Sequence, residues 1–337
     1  MTERTGPRTR GALALLVGAA LELTGPAGAA EPAEVALSAR VSIGFADRER
    51  AAAILGADDD FTRSFSIFDR AARSGLARAP ATDAVRALLA NKARDWPPKL
   101  RRKVRLSLVR SAAKLGPLEP WLPERVWLVS THAALEGGAA HTRGTAVILP
   151  PASLDVSKRE LDFLIAHELF HVVSRAHPQL RDRLYALIGF LPCAQLEPPP
   201  VLRDRVITNS DAPRIQHAIH VKAAGKRVWV APLLLAEPPA YHPARRADLF
   251  GYLTLRLFPV TRTESSCAFS DDAAQMPLEV ERLIGFDEQT GANTRYVLHP
   301  EEIVADNVAL LIAGGRAVKT PALLERIRGE LDAKGAQ

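Results

Sequence analysis

The spacing of apolar positions changes several times along the chain. An uncharged apolar run over 11–21 follows Arg4, Arg8 and Arg10 and precedes the small-residue string Ala27-Gly28-Ala29. That order predicts an export signal over 1–29; the run is too short to span a bilayer, and Glu22 closes it. From about 47 to 115 the pattern reads as helices with short breaks, most clearly over 81–92 and 98–114. Short apolar or β-branched runs at 127–130 and 146–149, bounded by turn formers, predict strands. Ser157-Lys158-Arg159-Glu160 has the form of a capping box. Leu161, Leu164, Ile165, Glu168 and Val172 follow at helical spacing until Pro178, which predicts a helix over 158–176. A further helix is expected over 179–191.

After the Pro-rich stretch 197–200 the pattern turns β-like. Runs at 215–221 and 226–231 flank Lys222-Ala223-Ala224-Gly225 as a hairpin, and 252–260 alternates as a strand. The stretch 273–285 carries a weaker pattern. The last clear helix starts at His299-Pro300-Glu301-Glu302, with Pro at the first helical position and acids in the first turn, and stops at Gly314-Gly315. The expected fold class is α+β. A helical N-terminal region spans 30–120, and a core spans 121–337 with a β-rich insertion around 201–260. A small sheet is expected to pack on the helix over 158–176.

Removing the signal leaves 308 residues (337 minus 29), enough for one large domain or two modest ones. No other long apolar run occurs, so no membrane anchor is expected after cleavage. The net charge of +6 is spread along the chain. Its densest basic stretch, Lys99 to Arg105, lacks interleaved aromatics and reads as a solvated helix face; no nucleic-acid partner is expected. The only cysteines, Cys193 and Cys267, are expected to bridge in an oxidising compartment.

The candidate chemistry lies in His167-Glu168-Leu169-Phe170-His171. Histidines four apart on a helix lie one above the other and can reach one metal ion, with Glu168 beside them as general base for a water at that ion. Zinc needs a third protein donor. His177 gives the histidine spacing of the metzincins, but Ser174 stands where that family has the Gly that turns the chain. On a continuing helix His177 would sit about 240° around from His171. Met276 has no Met-turn context. The second candidate is Glu302, with Asp306 four residues on along a mostly apolar helix and Glu301 as fallback. Two like charges on such a face are costly unless a cation and a histidine take them up.

With H-E-L-F-H at 167–171 and E-I-V-A-D at 302–306, the chain resembles the gluzincins, the thermolysin-like branch of the zincin metallopeptidases. The resemblance rests on these two motifs. It implies Glu302 as third zinc ligand, Asp306 as the group orienting a ligand histidine, and a zincin-like core. An intervening 130 residues (172 to 301) require an insertion. The expected activity is zinc-dependent peptide-bond hydrolysis by an exported protein, periplasmic or secreted, acting on a peptide or protein substrate. Tyr296 and His299 are candidates for stabilising the oxyanion. The stretch 141–150 is a candidate edge strand for substrate, and 209–213 reads as a polar turn, with a substrate or calcium role as the alternative. The competing functional classes are a non-peptidase or inactive zinc-binding protein of the same fold, and a protein in which the pentad is accidental.

Overall fold

Ser157 does what its position in the pattern demands: its hydroxyl accepts from the Glu160 N–H, and the Glu160 carboxylate accepts from the Ser157 N–H. The helix so capped runs over Lys158–Ala176 and is the spine of the computed structural model. The structure describes residues 33–132, 135–244, 249–264, 266–270, 277–297 and 299–333. The export signal and Met276 therefore lie outside the described residues.

In chain order the first part comprises β1 (Glu34–Ala36), β2 (Ser42–Phe45), α1 (Arg48–Leu55), α2 (Asp60–Arg63), α3 (Ile67–Ser74), α4 (Thr82–Ala90), β3 (Ala93–Arg94) and α5 (Pro98–Ser111). Next come β4 (Arg125–Thr131), β5 (His141–Arg143), β6 (Ala146–Leu149), α6 (Lys158–Ala176) and α7 (Pro178–Ala186). A second β region holds β7 (Phe190–Pro192), α8 (Pro200–Arg203), β8 (His217–Ala223), β9 (Lys226–Ala236), β10 (Leu253–Arg262) and β11 (Cys267–Phe269). The chain ends with α9 (Phe286–Thr290), α10 (Pro300–Ala313) and α11 (Pro321–Asp332). The class is α+β.

The first sheet has the order β1-β2-β4-β6-β5, with β3 pairing β4. β2, β4 and β6 run parallel, and β5 closes one edge antiparallel to β6. β1, β2 and β3 all fall within 30–120, so this region and the core share one sheet. Both faces of that sheet are covered. Val147 and Leu149 belong to the main core with α5 and α6, while Ala146 and Ile148 pack with α1 and α4 on the other side. A strand buried on two faces reads as an unbroken apolar run, as 146–149 does.

The second sheet, β11-β10-β9-β8-β7, is antiparallel throughout. Its strands run from Phe190 to Phe269, wider than the 201–260 read from the pattern. Cys193 follows one edge strand and Cys267 begins the other, yet they form a disulfide with Cα atoms 5.4 Å apart. Four interstrand spacings in a flat sheet would separate those edges by about 19 Å. The sheet is therefore rolled, and the bridge closes its concave face over Ala218, Ala231 and Val260. In the chain-entropy picture, closing a loop of 74 residues stabilises the fold by about 4 kcal/mol.

α6 packs along α10, and its second half is buried all round, from Ile165 to Ser174. His177 ends the helix. Its Nε2 meets the Trp121 carbonyl at 2.8 Å and its ring packs edge-on against the Trp121 indole. It is thus turned away from His171, as the helical angle requires.

Candidate metal centre

α6 and α10 bring polar side chains to their shared, otherwise apolar interface. His167, Glu168 and His171 come from the middle of α6. Glu301, Glu302 and Asp306 come from the first two turns of α10. His167 Nε2 and His171 Nε2 converge on the same oxygen, Glu302 Oε2, at 3.3 and 3.7 Å. Donors about 2.0–2.1 Å from a tetrahedral zinc ion stand about 3.4 Å apart, so these separations suit one ion.

The outer nitrogens are also accounted for. His167 Nδ1 lies 3.1 Å from Asp306 Oδ1, and His171 Nδ1 lies 2.8 Å from Glu301 Oε1. A carboxylate on each Nδ1 fixes the proton there and turns each Nε2 lone pair toward Glu302. Asp306 is held in turn by the Thr294 hydroxyl. Glu301 accepts from Ser174 Oγ at 2.6 Å and from the Tyr185 hydroxyl. Glu301 meets the outer nitrogen of His171, so the expected fallback ligand orients that ring instead. Asn209 Nδ2 donates to Glu302 Oε1 at 2.9 Å, which leaves Oε2 for the histidines.

Two observations test the donor set against a divalent cation. Lone pairs on two imidazoles facing one carboxylate oxygen repel unless a proton or cation lies between them. Glu168, 2% exposed, has an Oε2 that is buried with no hydrogen-bond partner among the described residues. Two nitrogens, a carboxylate and an orphaned carboxylate beside them fit zinc.

In the metal-free protein the titrations reflect this crowding. Burial, reinforced by the Asp211 charge, pushes Glu168 up to about 8. Burial works against the charged His171 ring, but Asp211, Glu302 and Glu301 outweigh it and hold the ring at about 9. Burial also opposes charge on His167, and the hydrogen bonds it donates to Asp306 and Glu302 outweigh it and raise that ring well above its usual value. Glu301 and Asp306 stay below the usual carboxylate range: burial works the other way, but their histidine partners prevail.

A cavity of about 500 Å3 opens on Glu168, His167, Glu302 and Asp306. Its apolar wall combines Phe163 and Leu164 of α6 with Leu234, Leu249, Phe250 and Leu253 of the second β region. Gly137, at φ 63°, permits this wall: a Cβ there would meet the Phe250 ring at 2.0 Å. Tyr296 lines the same cavity, its hydroxyl pKa raised by burial and by the Glu302 charge. His299 does not line it. Its Nδ1 caps α10 by accepting from the Glu301 N–H at 3.1 Å, and burial pushes its pKa down to about 3.

The pattern of the sequence passed over Asp211. It lies on the stretch read as a polar turn, with a donor atom close to those of His171 and Glu302. Its carboxylate stays below the usual range because His171, His141 and Arg175 outweigh burial. Four polar residues together, Thr208-Asn209-Ser210-Asp211, between Val206-Ile207 and Ala212-Pro213 were the available signal. Ser174, three residues after His171 and on its side of α6, was the signal for a partner to Glu301.

Models of protein families, curated proteins and solved structures give no match to this chain.

Proposed function

We propose that this protein is an exported zinc-dependent metallopeptidase of the gluzincin kind. The observation that carries the reading is the convergence of His167 Nε2 and His171 Nε2 on Glu302 Oε2, with a carboxylate behind each ring. His167, His171 and Glu302 would hold the ion. Zinc, when bound, supplies a Lewis acid that polarises a carbonyl and makes water acidic near neutral pH.

The protein's own groups supply the rest. Glu168 would take the proton of the attacking water and pass it to the leaving amine, a role supported by its place in the cavity lining and by an oxygen that no described side chain engages. Asp306 and Glu301 keep both rings in the tautomer that leaves Nε2 free to bind. Tyr296 would donate to the oxyanion from the cavity wall. The apolar wall suits a peptide with a bulky apolar side chain beside the scissile bond. The Cys193–Cys267 bridge supports a periplasmic or secreted location, where disulfides persist.

Metal analysis of the purified protein tests the reading. One zinc per chain is expected, lost in Glu302→Ala and kept in His177→Ala and Glu168→Gln. A protein that takes up no zinc, or loses it only in His177→Ala, overturns the assignment.

A further inference from the structure

A second cavity, about 690 Å3, adjoins the first along a single strand edge. Gly138, Ala139, Ala140 and His141 line the first, and Thr142, Arg143 and Gly144 line the second. β5 thus passes from one into the other. Ser210 and Asp211 are the residues that line both, so they form a bar across what would otherwise be one groove.

The bar is fastened at each side. β5 is the outer strand of its sheet, and the Thr142 N–H donates outward to Asp211 Oδ1 at 2.7 Å, as does the Thr142 hydroxyl at 2.7 Å. Asp211 thereby takes the backbone donor that an added peptide strand would use. Arg175 donates to Thr142 Oγ1 and to the carbonyls of Ser210 and Asp211. Asn209 accepts from the Asp211 N–H at 3.0 Å and donates to Glu302, tying the bar to the ligand helix. Toward the interior, donor atoms of His171, Asp211 and Glu302 all lie within 4.8 Å of one another. Drawing them onto one tetrahedral ion needs shifts of about an ångström. Beside them is the buried, unpartnered Glu168 Oε2.

The geometry points to Asp211 as a fourth protein donor to the zinc ion, carried on a bar at 209–211 that closes the cleft. The inference rests on the metallopeptidase reading above. With His167, which faces the same Glu302 oxygen, two imidazoles and two carboxylates would complete a tetrahedral shell and leave no position for water or substrate. Withdrawal of the bar would free that position, release the Thr142 N–H and join the two cavities into one groove along β5. The state described is the closed one.

Cobalt(II) titration of the metal-free full chain tests this, with affinity and visible absorption as readouts and His167→Ala, Asp211→Asn and Thr142→Val as variants. Asp211→Asn keeps an oxygen for Thr142 but removes the anionic donor. Thr142→Val loosens the bar and keeps the carboxylate. The expected result is one cobalt per wild-type chain, at least tenfold weaker binding and a changed visible spectrum in Asp211→Asn, and a wild-type spectrum in Thr142→Val. At saturating metal, Asp211→Asn should also cleave a fluorogenic peptide faster than wild type. An unchanged spectrum in Asp211→Asn overturns the donor role even if affinity falls, since loss of charge alone weakens binding. The same spectral change in Thr142→Val assigns Asp211 a structural tie only and also overturns it. Turnover no faster than wild type overturns the closing role. If wild type and His167→Ala alike bind no cobalt, the metallopeptidase reading itself fails.

Discussion

Two clusters of charged side chains are buried in this protein, and they are built to opposite ends. Around Arg73, a single guanidinium reaches Asp69, both oxygens of Glu136 at 2.9 and 2.8 Å, and the Thr208 carbonyl at 2.9 Å. Asp69 also accepts from the Thr208 hydroxyl and N–H. The Phe61 and Phe65 rings face the guanidinium. That cluster closes on itself. Around His167 and His171, five carboxyl groups surround two imidazoles, and a Glu168 oxygen is left over. A buried ionic network that satisfies every member holds structure; one that leaves an oxygen unpaired is waiting for something from outside. The first also serves the second. Arg73 holds Glu136, a non-glycine residue at φ 44°, on the rim of the candidate active-site cavity.

The comparison can be broken most sharply at Glu168. Glu168→Gln should cut peptide turnover by about 10²- to 10⁴-fold, the usual worth of a general base. It should keep its zinc and leave the melting point of the metal-free protein unchanged or raised, because a partnerless carboxyl is replaced. A variant that turns over normally, or melts several degrees lower, would erase the distinction between the clusters. The opposite signature is expected for Arg73→Ala. Leaving Asp69 and Glu136 buried and unpaired should cost about 3–5 kcal/mol in denaturant unfolding, and a loss below about 1 kcal/mol would show that the network is not structural.

Next in size are the groups behind the rings. Asp306→Asn and Glu301→Gln should each weaken zinc binding about 10- to 100-fold by competition with a chelator, with little loss of fold. Equal affinity to wild type would mean that the rings are oriented by packing alone.

The smallest effect is a pH dependence confined to the metal-free protein. Glu168 is raised to about 8 from 4.5 and His171 to about 9 from 6.5. Both bind their protons more tightly in the folded state. Their stabilisation is complete below 4.5 and 6.5 respectively, and is lost as pH rises through 8 and 9. Thermal scans of chelated protein should therefore show the melting point falling from pH 7 to pH 9, above the range in which neutral His299, held at about 3, adds stability as pH rises toward 6.5. Zinc requires the His171 ring deprotonated, so loaded protein should show a smaller fall and take up metal more tightly as pH rises. A melting point of chelated protein that rises over the interval would break the account.

Local order was strong wherever the determinants lie within a turn or two. Ser157 and Glu160 define the start of α6 and Pro178 its limit, because caps and proline act on the backbone beside them. Pro300 and Gly314 do the same for α10. The hairpin of β8 and β9 follows from alternation around Ala224-Gly225. The short strands β1, β2 and β3 were not legible, since two to four residues carry no period and gain their order from pairing, β2 and β3 with β4 and β1 with β2.

For the candidate site, the sequence by itself determined which side chains share a helix face: His167 with His171, and Glu302 with Asp306, each four residues apart. Helix geometry alone sets that relation. Only the tertiary structure decided that the two faces meet, that Glu301 serves His171 and Asp306 serves His167, and that His299 points elsewhere. It also decided that Asp211 arrives between them, because its place is set by hydrogen bonds to Thr142, 69 residues away along the chain. Those pairings depend on how α6 and α10 are oriented about a common core and on which loop crosses β5, quantities that no local period encodes.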